Sequence, residues 1–87
     1  MLKILRFTAS WCAPCKSLAK NLEEANLGLP IEVVDIDVYD DVAMEYGIRS
    51  VPTLVLMGEN NTVIRRITGA KTVSELRTWF KEETIPV

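Results

Sequence analysis

The chain has 87 residues, which fits one small domain and leaves little room for a second. Apolar residues make up 48% of it and charged ones 25%, which sets it apart from disordered and membrane-spanning chains. The net charge is −2, basic residues never exceed two in succession, and no apolar run approaches a bilayer span, so neither nucleic-acid nor membrane binding is expected.

The first element, LKILRFT (Leu2–Thr8), reads as a strand with Leu2, Ile4, Arg6 and Thr8 on one face and Lys3, Leu5 and Phe7 on the other. Arg6 is out of place on an otherwise apolar face. Lys3 and Arg6 also interrupt the apolar run too early for the core of a secretion signal, so a cytoplasmic location is expected. From Ala13 to about Asn26 the period changes: Leu18, Leu22 and Ala25 recur at helical spacing, and Gly28 and Pro30 are expected to close the helix. IEVVDIDV (Ile31–Val38) is a β-branched strand rich enough in Val and Ile to be central in a sheet.

Asp40 or Asp41 is expected to cap a short helix reaching Tyr46, with Gly47 just past its end. TLVLM (Thr53–Met57) is a third strand, and GENN (Gly58–Asn61) has the chemistry of a turn, so Thr62–Thr68 should return antiparallel to it. TVSE (Thr72–Glu75) is a capping box opening a last helix with Val73, Leu76 and Phe80 on its apolar face. The order β-α-β-α-β-β-α predicts one α/β domain over residues 1–87: a single four-stranded mixed sheet with three helices distributed over both faces.

The chemistry concentrates in FTASWCAPCKSLA, which holds the only cysteines, Cys12 and Cys15. A tetrahedral zinc site takes four ligands, or three and a water, and this chain has no histidine and no third cysteine, so no metal is expected. A bridge across so short a loop would restrain the unfolded chain very little, so it would be a poor staple. Two inert buried thiols form the plain alternative.

A redox pair accounts for the placement. Where a strand gives way to a helix, unpaired N–H groups and the positive end of the helix dipole favour thiolate over thiol at Cys12. Cys15, one turn on, is within reach to resolve a mixed disulfide. Pro14 has its φ preset for the first helical turn. Pro52, directly before the third strand, reads from physics alone as an ordinary trans turn proline.

With Trp11-Cys12-Ala13-Pro14-Cys15-Lys16 and Tyr46-Gly47-Ile48-Arg49-Ser50-Val51-Pro52-Thr53-Leu54 both placed, the chain resembles the thioredoxin family from about Phe7 to Phe80. TGA (Thr68–Ala70) matches the glycine loop before that family's last helix. The resemblance implies a cis Val51–Pro52 bond against the cysteines. It also implies a shallow apolar groove lined by Trp11, Ala13, Val51, Pro52, Gly69 and Ala70, where an extended substrate would pair with the backbone of Val51. The fold implied is thioredoxin-like without the extra N-terminal strand and helix, and so closer to the short glutaredoxin-like core.

The chain departs from the family pattern in several places. Arg6 stands where the family commonly buries an aspartate, six residues before the first cysteine, and Val33 stands where its internal lysine would be. Thr8 replaces a tryptophan and Ala13 a glycine. Arg6 is expected either to reach solvent or to favour the thiolates by its charge.

The function implied is reduction of protein disulfides through a reversible Cys12–Cys15 pair. No cofactor would be bound; NADPH would act indirectly, through a thioredoxin-reductase-like flavoprotein. A monomer is expected. Two alternatives stay open: a glutaredoxin recharged by glutathione, and a non-redox binding subunit that uses the Trp11/Pro52 groove.

Overall fold

The computed structural model describes residues 2–84. Its elements run β1 (Lys3–Thr8), α1 (Ala13–Ala25), β2 (Ile31–Asp35), α2 (Asp40–Glu45), β3 (Thr53–Met57), β4 (Val63–Thr68) and α3 (Val73–Thr84), with a single 3₁₀ turn at Glu59–Asn61 between β3 and β4. The strands form one sheet in the order β2-β1-β3-β4. β1 runs parallel to β2 and antiparallel to β3, and β3 is antiparallel to β4.

The neighbours Ile4 and Leu5 are both buried, because β1 is covered on both faces. Ile4 packs with Leu54 and Leu56 of β3 under Leu18, Leu22 and Ala25 of α1 and Leu76 and Trp79 of α3. Leu5 and Phe7 point the other way, into a second cluster with Val34, Val55, Met57 and Ala43 of α2. Phe7 also meets Tyr46 at the end of α2, ring centroids 5.8 Å apart. The predicted α/β layering and antiparallel return of β4 are therefore present. All five residues of β3 are buried, as an inner strand covered on both faces requires.

β2 is an edge strand rather than a central one, and Ile31 and Val33 are 41% and 52% exposed. It also stops at Asp35, short of Val38. The Asp35 carboxylate accepts the N–H of Asp37 at 2.9 Å, and its carbonyl accepts from Val38 and Tyr39, which turns the chain out of the sheet.

The helix ends are set by comparable local chemistry, and α1 spans the residues expected of it. α1 ends at Asn26, left-handed at φ 49°, before Gly28 is reached; its N–H returns to the Glu23 carbonyl. α2 is capped by the backbone of Tyr39 without a side-chain bond, and Asp40 and Asp41 sit inside the first turn, where carboxylates meet the positive end of the dipole. Gly47 follows at φ 66°. In the β3–β4 connection Asn60 and Asn61 both take φ 58°, and the strand register slips between Leu56 and Met57. On α3 the buried aromatic is Trp79, while Phe80 is half-buried.

The capping box is formed. Thr72 N–H donates to Glu75 Oε1 at 2.9 Å, and Glu75 N–H donates to the Thr72 hydroxyl at 3.1 Å. The Thr72 N–H, then its hydroxyl, holds the Glu75 carboxyl below its usual range. A lowered folded-state pKa stabilises above the unfolded value and is lost as pH falls through the folded one. Glu75→Gln is therefore expected to lower the Tm at neutral pH and to lose that difference in strong acid, read by paired thermal melts.

The sheet position of each strand sets its sensitivity. Leu56→Ala should cost about 2–5 kcal/mol, whereas Val33→Thr on the open edge should stay within about 0.5 kcal/mol. Urea denaturation of the two variants checks both.

Candidate functional site

β1 ends at Thr8, and the chain enters α1 through Ala9, Ser10, Trp11 and Cys12. Cys12 is the residue before the helix, extended at φ −95° and ψ 104°. Its sulfur accepts the backbone N–H of Cys15 at 3.2 Å, so a sulfur takes the capping role usually held by an oxygen. Pro14 lies in the first turn, where its missing N–H costs nothing.

Cys12 and Cys15 are joined as a disulfide, with Cα atoms 5.3 Å apart. Both are covered, 4% and 1% exposed, and with Ala9 they form a small apolar cluster on which Ile36 and Val51 pack. Among the described residues no group of three or more His, Cys, Asp or Glu side chains could hold a metal ion. No helix among them is long and apolar enough to cross a membrane.

The surroundings divide into an exposed rim and a covered floor. Trp11 is 68% exposed, and Ala13, Pro14 and Ala70 are exposed beside it in sequence or in the Gly69 loop. Val51 and Gly69 are partly exposed. Pro52 lies beneath the surface rather than on it: the residue is under 2% exposed, directly before the buried strand β3. The Val51–Pro52 bond is cis. The Pro52 carbonyl accepts the Gly69 N–H at 2.9 Å, which ties the proline loop to the loop before α3.

Trp11 is not loose, because its indole Nε1 donates to Asp37 Oδ2 at 3.0 Å. Asp35, the last residue of β2, and Ile36 and Asp37 just beyond it are parts of the site that strand reading misses, because it runs the strand on to Val38. The available clue was two aspartates within an otherwise β-branched run, a residue type that strands disfavour and turns favour.

Arg6 faces α1, on the same side of β1 as Ile4. It lines a cleft of about 260 Å³ together with Thr8, Cys15, Lys16, Ala19 and Asp35. It is neither fully buried nor fully in water, and burial pulls its guanidinium below the ordinary value. Among the described residues it has no hydrogen-bond or ion-pair partner. Val33, the position of the family's internal lysine, is its register partner on β2.

A family model described as thioredoxin matches residues 1–82. The mitochondrial thioredoxin of Bos taurus is 34% identical over 83 residues, covering 91% of this chain and 49% of that protein. The chain thus spans about half the length of that relative. Thioredoxin C-2 of Corynebacterium nephridii is 32% identical over 83 residues, covering 91% of this chain and 76% of its own. A mutant thioredoxin from Halobacterium salinarum NRC-1 superimposes with a TM-score of 0.85 at 27% identity, covering 99% of this chain and 77% of that one. With its disulfide at the junction of a central strand and a helix, and with these relatives, the chain belongs to the thioredoxin family.

Proposed function

We propose that this chain is a thiol–disulfide oxidoreductase that reduces protein disulfides. The observation that carries the reading is the Cys12–Cys15 disulfide at the start of α1, with a first-turn N–H directed at the Cys12 sulfur. That donor and the helix dipole stabilise a negative sulfur, and the thiolate is the attacking form.

In the reduced pair, Cys12 attacks one sulfur of a substrate disulfide and the other leaves as a thiolate. Cys15 then attacks the Cys12 sulfur, the second substrate sulfur leaves, and the bridge re-forms. Two electrons pass from the pair to the substrate, and each departing thiolate takes a proton from water. No bound cofactor is required. A thioredoxin-reductase-like flavoprotein drawing on NADPH restores the dithiol.

Trp11, Ala13, Val51, Gly69 and Ala70 form the docking surface in this reading, with Pro52 as the floor that sets the height of Val51. The Trp11–Asp37 bond supports it, since a fixed indole gives contact area at low entropic cost. The monomer acts in a reducing compartment, the cytoplasm, which suits a pair that spends part of each cycle as thiols.

Insulin reduction tests the reading. Cys12→Ser should abolish it, and Cys15→Ser should trap a mixed disulfide with the substrate on Cys12. Activity with NADPH and thioredoxin reductase supports the proposed recharge, while activity only with glutathione and glutathione reductase would transfer the chain to the glutaredoxin alternative. Full biological activity in the double serine variant would leave a binding role alone. Separately, Asp37→Ala should speed solvent exchange of the Trp11 indole N–H and raise the KM for protein substrates while leaving kcat nearly unchanged, read by proton NMR and steady-state kinetics.

A further inference from the structure

Arg6 is a permanently charged side chain on the central strand with no polar partner among the described residues. Desolvating a guanidinium without pairing it costs free energy, so its place in the core layer calls for a compensating role. The cleft it lines identifies one. Cys15 lines the same cleft and is the more deeply covered of the two cysteines, at 1% exposure.

Reduction turns Cys15 into a thiol in a nearly dry site. Burial alone would raise its pKa and leave it inert at neutral pH. The hydrogen bond at the helix start goes to the Cys12 sulfur, not to Cys15. The charged groups lining the cleft are Arg6 from β1, Lys16 from α1 and Asp35 from β2, and Arg6 also borders an adjoining cleft with Lys20 and Glu23 of α1, both exposed and so screened by water. Lys16 is exposed, so its field is screened by water. The carboxylate of Asp35 is engaged through Oδ1 by the Asp37 N–H. Ile36 and Val51, packed over the sulfur cluster, bring no charge. Arg6 is the one charge that is held by a rigid central strand, half-covered and otherwise unpaired. Ala19, one turn beyond Cys15 on α1, lines the same cleft and leaves room for its stem.

We propose that Arg6 is the positioning residue of the resolving step: its guanidinium, in the cleft they share, holds the reduced Cys15 sulfur as a thiolate ready to attack Cys12. The Cys15 proton goes to solvent when the pair is reduced. No side-chain base is then needed when the mixed disulfide forms. The Cys15 thiolate attacks the Cys12 sulfur, the bond from Cys12 to the substrate breaks with its electron pair on the substrate sulfur, and that thiolate is protonated by water. This extends the dithiol–disulfide reading given above and relies on it for the direction of attack.

The test isolates one thiol. In a Cys12→Ser background, the Cβ carbon shift of labelled Cys15 is followed against pH. Arg6→Gln and Arg6→Met, two neutral side chains of similar reach, should each raise the Cys15 pKa by about one unit or more. Arg6→Lys should retain at least half of the effect. In the chain with both cysteines, stopped-flow release of thionitrobenzoate from Cys12 should show its pH profile displaced upward by the same amount in Arg6→Gln.

A Cys15 pKa unmoved in the neutral variants, or moved equally far by Arg6→Lys, would overturn the proposal. Gln and Met differ enough in polarity that one can be read should the other fail to fold. The titration needs no turnover, so a negative result there leaves the oxidoreductase reading intact, and a failed insulin assay leaves the Arg6 effect measurable.

Discussion

β1 is hydrogen-bonded to a strand on each side and packed on both faces, and the position of the sulfurs follows from that. A strand so confined delivers the chain to a fixed point at the end of the sheet. There α1 must begin, because Leu18, Leu22 and Ala25 have to reach the same core layer as Ile4. The first-turn N–H groups of α1 are therefore held in place by burial well away from them. The Cys12 sulfur receives one of these groups without any local scaffold being built for it. Moving β1 to an edge would remove the rigid background against which the disulfide opens and closes.

The same confinement explains why Arg6 stands out. On a peripheral strand a guanidinium would swing into water and carry no information. On β1 its backbone is fixed between Leu54 and Val33, so the head group is confined to the two clefts it lines along α1, one holding Cys15 and the other bordered by Lys20 and Glu23. The neighbouring position on β2, Val33, offers no charge to neutralise it. A cation kept near a buried sulfur inverts the local electrostatics that a carboxylate at this point would impose.

Much of this was legible in the residues. Helical spacing marked α1, the glycine–asparagine cluster marked the hairpin, and Thr72 with Glu75 marked the start of α3, because each is decided within a few residues along the chain. What escaped depended on neighbours in space. A run of Val and Ile says that a strand is apolar, not which strands flank it, so β2 read as central although its outer side is open. Trp79 and Phe80 are adjacent, and only the placement of α3 against α1 decides which ring enters the core. Asp37 was hidden for the same reason: its partner Trp11 lies on another element, and no local rule pairs them. Pro52 was placed at the site by resemblance, but its depth was set by the burial of all of β3.

The left-handed positions at the end of α1 and in the hairpin turn are held by asparagine: Asn26, Asn60 and Asn61. Asparagine tolerates this backbone region better than other residues with a Cβ, though not as freely as glycine. In the unfolded chain, however, it samples fewer conformations than glycine does, so less entropy is surrendered when the turn forms. For a domain with so little interior, that matters: part of its stability lies in the shapes its denatured chain is unable to take.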